Sequence, residues 1–357
     1  MSILLISDDD RSALACELLA QRLRQRGKRC LTIGLPTRAE PTTAATRHSP
    51  LPPCQPQVTM LLEALVGSRL LEQASAVGLF LRNAGQLQRF AQSHRNLARL
   101  QGHKAAPIFS GPLQASLGDS LMEELYDRLC CDLLILPGER QHQAVNSTVR
   151  HWPQAAGAPQ LLSMGFWYAP ERPPQGGLNG GMAQPPHHLL ALVQDSIPTA
   201  VGGKAQLLRQ LIRWAEASPD WTLTVQRDHP WSDDAPWIPL YEPEEWTLPR
   251  NLVFAAPGQM LSHLTSCSVC LSISSPWAMT AMSWGRKTIL IGDYGIHTNE
   301  GTTSWFGCGS MHRLKNIQTL DQLLDKPDVN QGWLESMGWG VHDGTDRLIK
   351  ALEELKP

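Results

Sequence analysis

The run Ser272-Ile273-Ser274-Ser275-Pro276-Trp277-Ala278-Met279-Thr280-Ala281-Met282-Ser283-Trp284-Gly285-Arg286-Lys287-Thr288-Ile289-Leu290-Ile291-Gly292-Asp293-Tyr294 reads as strand, hydroxyl-rich turn, helix, glycine stop and second strand. Pro276 suits a first helical turn, where its missing N–H is no loss, and Ser274 or Ser275 can cap the helix. A strand, a helix and another strand in that order form a crossover unit, the building block of a parallel sheet covered by helices.

The same alternation extends in both directions. Downstream of residue 186 the pattern predicts strands Leu189–Gln194, Thr222–Gln226, Asn251–Ala255, Ser268–Ser274 and Lys287–Ile291, with helices Lys204–Ala217, Met260–Ser266 and Trp277–Trp284. Upstream it predicts strands Ile3–Ser7, Arg29–Leu35, Val77–Arg82, Pro107–Ser110, Cys131–Leu136 and Leu161–Phe166. A helix Arg11–Arg26 is closed by Gly27, and further helices fall near 57–73, 85–101 and 119–130. Between the two series, Glu171–Pro186 is rich in Pro-Pro and Gly-Gly pairs and has no apolar period, so it reads as a linker. The expected domains are 1–170, a linker 171–186, 187–330, and a helical segment 331–357 whose helix Thr345–Leu355 could pack on either domain.

Composition agrees with a folded two-domain chain: 357 residues at about 150 per domain make two the first expectation. Hydrophobic residues are 42% and charged residues 18%, which excludes a disordered polyelectrolyte. A net charge of -2 without a dense basic stripe argues against nucleic acid as a partner. The eight cysteines are scattered and several sit in apolar runs, which suits a reducing, cytoplasmic setting. The opening apolar run is too short for a membrane span and has no cleavage site, so neither a signal peptide nor a transmembrane segment is expected. Pro36–Gln57 carries six prolines and reads as a surface insertion or a flap.

In open α/β sheets ligands bind at the carboxyl ends of the strands, so the residues just after strands are the ones to question. Asp8, Asp9 and Asp10 follow the first strand; one carboxylate suffices to cap the helix, and a spare one could accept a proton from a hydroxyl, with Asp9 the first choice. His229-Pro230 follows strand Thr222–Gln226, where an imidazole could donate to a phosphate oxygen. Ser274 and Ser275 open a helix whose N–H groups either are capped or face an anion. Asp293, Tyr294 and Gly295, and the later Gly307-Cys308-Gly309-Ser310, are loop residues that could touch a ligand or simply make turns. Cys267-x-x-Cys270 lacks a second pair at zinc spacing and reads as core. Gly202-Gly203-Lys204 lacks the spacing of a phosphate-binding loop, and no Gly-x-Gly-x-x-Gly follows the first strand. Most of the twelve tryptophans, ten of which lie beyond residue 210, read as packing.

Taken together, Ile-Ser-Asp-Asp-Asp at 6–10, Leu-Leu-Ala-Leu-Val-Gln-Asp-Ser at 189–196, Ser-Ile-Ser-Ser at 272–275 and Gly-Asp-Tyr-Gly-Ile at 292–296 resemble a group of bacterial glycosyltransferases of undescribed specificity. The resemblance implies a GT-B-like α/β fold, two Rossmann-like doubly wound domains facing a cleft, with the C-terminal one holding a nucleotide-sugar donor. A narrower likeness is to bacterial sialyltransferases and capsule glycosyltransferases. Their donor site uses a His-Pro pair and a later Ser-Ser pair, here His229-Pro230 and Ser274-Ser275; their acidic-acidic-Gly base motif is not matched, since Asp8-Asp9-Asp10 lacks the glycine.

These expectations describe a glycosyltransferase of polysaccharide biosynthesis with a nucleotide-sugar as co-substrate and a glycan or lipid-linked glycan as acceptor. It would use no metal and no cofactor. His229 and the Ser274/Ser275 turn would steady the departing phosphate, and Asp8, Asp9 or Asp10 would act as base. Two alternatives stand beside it: a non-catalytic nucleotide-sugar or phosphate-binding protein, and a GT-B-like sugar-nucleotide epimerase.

Overall fold

The computed structural model describes residues 2–36, 54–82, 84–150, 157–173, 187–227, 248–256 and 258–355. His229-Pro230, most of Pro36–Gln57 and the linker from residue 174 onward lie outside the described residues. The chain divides into two compact units, the first containing Cys54–Pro170 with the N-terminal residues and Glu335–Pro357, the second containing Glu171–Leu334.

The first unit is built on seven strands, β1 (Ser2–Ser7), β2 (Cys30–Gly34), β3 (Val58–Thr59), β4 (Ala74–Phe80), β5 (Ile108–Ser110), β6 (Leu133–Leu136) and β7 (Gln160–Ser163). All neighbours pair in parallel, in the order β3-β2-β1-β4-β5-β6-β7. Its helices are α1 (Asp10–Gln25), α2 (Leu62–Val66), α3 (Arg69–Glu72), α4 (Ala84–Leu100), α5 (Asp119–Tyr126) and α6 (Glu139–Val149). Successive side chains of β1 alternate between the faces: Ile3 and Leu5 join Ala15 and Leu19 of α1, while Leu4 and Ile6 join Leu87 and Phe90 of α4. Each such buried aliphatic side chain contributes about 1.5–3 kcal/mol.

The single helix expected near 57–73 is instead an edge strand and two short helices. Gly67 ends the first, and Ser68 restarts the chain by accepting the N–H of Leu71 on its Oγ at 3.3 Å. The helix α6 was not anticipated, because its sequence is mostly polar and only Val145 and Val149 supply apolar anchors.

The second unit carries β8 (His188–Val193), α7 (Val201–Ala217), β9 (Thr222–Arg227), β10 (Leu252–Phe254), α8 (Met260–Ser266), β11 (Val269–Ser272), α9 (Trp277–Ser283), β12 (Lys287–Ile291), β13 (Met311–His312), α10 (Asp321–Leu324) and α11 (Gln331–Ser336). Its sheet is parallel in the order β10-β9-β8-β11-β12-β13. Every residue of β8 is buried, as a central strand covered on both faces requires. Both sheets thus start at an inner strand, wind to one edge and return on the other side, the doubly wound topology.

The last helix, α12 (Gly344–Glu354), belongs to the first unit: Leu348, Ala351 and Leu352 pack against Leu19 and Ala15. Glycine permits this return. A Cβ at Gly344 would lie 2.1 Å from the Met164 carbonyl oxygen, and one at Gly138 would lie 2.4 Å from the Met337 carbonyl carbon. Arg26–Asp346 and Lys28–Glu353 ion pairs line the seam at 3.0 and 2.7 Å, and their exposure keeps their contribution small.

Candidate functional site

A doubly wound sheet opens a crevice where the chain leaves one strand for opposite sides, and in the second unit that point lies between the carboxyl ends of β8 and β11. Gln194, just past β8, spans it. Its Oε1 accepts both the backbone N–H and the hydroxyl of Ser274, each at 3.0 Å. Ser275 is fully buried; its N–H donates to Ser272 Oγ at 2.9 Å, and its own Oγ accepts the N–H of Trp277 at 3.3 Å. The N–H of Ala278 goes to the Ser275 carbonyl at 3.0 Å, and Pro276 has none to offer.

Ser274 and Ser275 were expected either to cap the helix or to face an anion. Both roles use the same donors, and here the turn's own groups accept them at the start of α9.

Two buried cations sit one strand further along the same edge. Lys204, in the first turn of α7, and Arg227, the last residue of β9, are both 2% exposed. Lys204 Nζ donates to the Asp195 carbonyl, and Arg227 Nη2 pairs with Asp195 Oδ2. Two cations therefore meet at one residue, the ammonium on the main-chain carbonyl of Asp195 and the guanidinium on its carboxylate. Burial pushes the Lys204 ammonium below its ordinary range, with Asp195 opposing that shift and Arg227 adding to it. No side chain caps α7, so the positive end of a 17-residue helix adds to the same field. Gly203 is required for this close start, since a Cβ there would lie 2.8 Å from Pro198 Cβ. Sequence reading set Gly202-Gly203-Lys204 aside for lacking a known spacing and did not single out Arg227 or Asp195.

The loop after β12 completes this edge. Ser196 Oγ donates to Glu300 Oε2, tying the β8 loop to the turn Thr298–Glu300. Asp293, for which ligand contact and turn-making were both open, accepts the N–H of Leu314 on its Oδ2 at 2.6 Å and so anchors the next segment. Tyr294 packs on the second unit's core, and burial followed by the Asp293 charge pushes its phenol up to about 12. Gly295 follows at φ +83, and the Tyr294 carbonyl sits 2.9 Å from His297 Nε2.

In the first unit the three aspartates separate into three environments. Asp9 is the cap of α1, its Oδ1 accepting Ser12 N–H at 2.7 Å while Ser12 Oγ accepts the Asp9 N–H at 3.1 Å. Asp8 accepts the N–H of Arg82, past the end of β4, on both oxygens at 3.1 and 2.8 Å. Asp10 alone is exposed. Asp9, the first choice as base, has its Oδ1 engaged in holding the helix start.

A second group, missed in the sequence, gathers from the first turn of α1, the loop after β5, helix α5 and the loop after β7. Arg11 Nη2 donates to the Leu113 carbonyl at 2.8 Å, and the Leu113 N–H donates to Glu124 Oε1 at 2.9 Å. Glu124 Oε2, Tyr168 Oη and Ser116 Oγ are buried and meet no hydrogen-bond partner among the described residues. Burial drives the Tyr168 phenol far up, with Arg11 opposing and Glu124 reinforcing the shift. Buried polar atoms without partners mark places built for a ligand or water. Cys267 and Cys270 are buried in the second unit, as the core reading expected. Among the described residues no helix is long and apolar enough to cross a membrane.

Comparison with known proteins places these observations. Residues 3–355 match the model of a family described as "Putative glycosyltransferase (DUF6716)". No curated protein matches the chain. Among solved structures, a UDP-GlcNAc 2-epimerase from Methanocaldococcus jannaschii is 11% identical with a TM-score of 0.63, over 99% of this chain and 100% of that one. The UDP-GlcNAc 2-epimerase from Neisseria meningitidis bound to UDP-GlcNAc is 10% identical with a TM-score of 0.59, over 99% and 100%. The glycotransferase of kitacinnamycin is 13% identical with a TM-score of 0.55, over 100% and 99%. At such identities the likeness is one of fold, and the fold is of the GT-B class.

Proposed function

This chain belongs to the DUF6716 family, and we propose that it transfers a sugar from a nucleotide-linked donor to a hydroxyl acceptor. The observation that carries the donor assignment is the pair of buried cations at the carboxyl edge of the second sheet, Lys204 on the main-chain carbonyl of Asp195 and Arg227 on its carboxylate. Negative charge grows on the leaving phosphate as the glycosidic bond breaks. Cations already fixed in a dry setting stabilise that charge without reorganising. Since the side chains supply the countercharge, we write the step without a metal.

The acceptor is assigned to the first unit. Glu124 is the proposed proton acceptor: one oxygen is fixed by Leu113, and the other, buried and without a hydrogen-bond partner among the described residues, would take a hydroxyl proton. Tyr168 and Ser116 would orient that hydroxyl. The test is Glu124→Gln, which keeps the bond from Leu113 but removes basicity. Turnover should fall by about 100-fold or more with donor binding intact; unchanged turnover, or an equal loss in Asp10→Asn alone, would move the base elsewhere.

The second reading, a sugar-nucleotide epimerase, draws support from the similar structures described as UDP-GlcNAc 2-epimerases. It would use the same donor edge and need no acceptor. Incubation with single nucleotide sugars separates the two: a new epimer without acceptor supports the second, and glycoside formed only with acceptor supports the first.

A further inference from the structure

At the amino end of the first sheet, opposite the edge discussed above, lies a shallow cavity of about 550 Å³ bordered by Arg95, Arg99, His103, Lys104 and Asp132. Asp132 is fully engaged. Its Oδ1 pairs with Arg95 Nη2 at 2.9 Å, and its Oδ2 accepts the N–H of Ile108 at 2.7 Å. Arg99 and Lys104 are exposed, and neither forms an ion pair among the described residues. The imbalance is local to this stretch: between Glu72 and Asp119 the chain has five Lys and Arg and no acidic residue. Cations in the last turn of α4 also complement its dipole, but that requires one charge and leaves the others over.

A second cavity, of about 270 Å³, shares His103 and Lys104 with the first; Val66, Leu71, Leu97 and Ala98 give it an apolar wall, and Glu72 and His94 also line it. A basic chamber and one with an apolar wall thus meet at the same two residues. Leu100, beside them, is 82% exposed.

We propose that these joined cavities are an anion site distinct from the donor edge, taking a phosphate group between Arg99 and Lys104 and an apolar portion of the same ligand in the neighbouring chamber. The phosphate could be carried by a free metabolite or by a lipid headgroup; the chemistry recognised is the same. The assignment does not rest on the transferase reading.

The experiment follows amide hydrogen exchange across residues 96–107 in the full chain as sodium pyrophosphate is added. In parallel, the chain is sedimented with phosphatidylcholine vesicles with and without phosphatidic acid. Protection of 96–107 by pyrophosphate, weakened about tenfold in Arg99→Glu/Lys104→Glu, supports the site with a free phosphate as its ligand. Absence of that protection, together with sedimentation that needs phosphatidic acid and is lost in the same variant, supports it with a headgroup as ligand. Should charge reversal disturb folding, Arg99→Gln/Lys104→Gln must weaken the same signal. No response to either probe, or a response that both variants leave intact, overturns the proposal. Protection confined to residues 194–204 reports the donor edge alone and likewise overturns it.

Discussion

Arg227, the last residue of β9, pairs with Asp195, two residues beyond β8, while the guanidinium itself is 2% exposed. Parallel pairing of Val193 with Arg227 brings them together, so the register of the central strands sets the charge at this edge.

Arg227→Met strands the Asp195 carboxylate and is expected to cost about 2 kcal/mol, below the range for a fully buried pair because Asp195 is 32% exposed. Adding Asp195→Asn should restore most of that stability in urea unfolding and leave donor binding impaired. Recovery of both would make the pair purely structural.

The caps give the opposite pattern. Asp9→Ala and Ser275→Ala each remove one acceptor of a helix-start N–H, so each should lower stability by about 1 kcal/mol and change turnover by less than a few fold. A hundredfold loss of kcat in Ser275→Ala would return the phosphate role to that turn.

Legibility in the sequence followed the range of the interactions involved. Met260–Ser266 and Lys287–Ile291 form where the local pattern placed them, because burial on a sheet imposes an apolar run that needs no knowledge of partners. Ser275 was found, but cap and anion cradle use identical atoms, and only the neighbours decide between them. Lys204 and Arg227 are 23 positions apart and carry no motif, and their meeting on Asp195 exists only after β8 and β9 pair. Glu124 and Tyr168 were invisible for the same reason, being joined through Leu113 and the loop after β7.

Stability should depend on pH in a defined direction. Burial lowers the imidazole pKa of His94, His188 and His263 in the folded chain. An unfolded histidine titrates near about 6.5, so below that value the unfolded state binds protons that the folded state refuses. The urea midpoint should therefore hold above about pH 7 and fall between about pH 6.5 and 5. A flattened decline in His188→Asn would assign part of it to the imidazole held by Thr224 at 2.9 Å; a midpoint that rises on acidification would contradict the assignment.

Gly344→Ala tests the return of the C-terminal segment. With the Met164 carbonyl oxygen 2.1 Å from the new Cβ, the backbone must move, and a loss of about 2–3 kcal/mol is expected. Thermal unfolding should register it, while a Tm within a degree of the parent would show the seam to be loose.

The most direct measurement is calorimetric titration of the parent chain and Lys204→Met with a panel of UDP-, CMP-, GDP- and ADP-linked sugars, with EDTA present. The expected result is saturable binding of at least one donor by the parent, weakened about tenfold or more in the variant while its unfolding midpoint stays close to the parent's. Donor binding of equal strength in both proteins would contradict the assignment of the buried cations to the leaving phosphate.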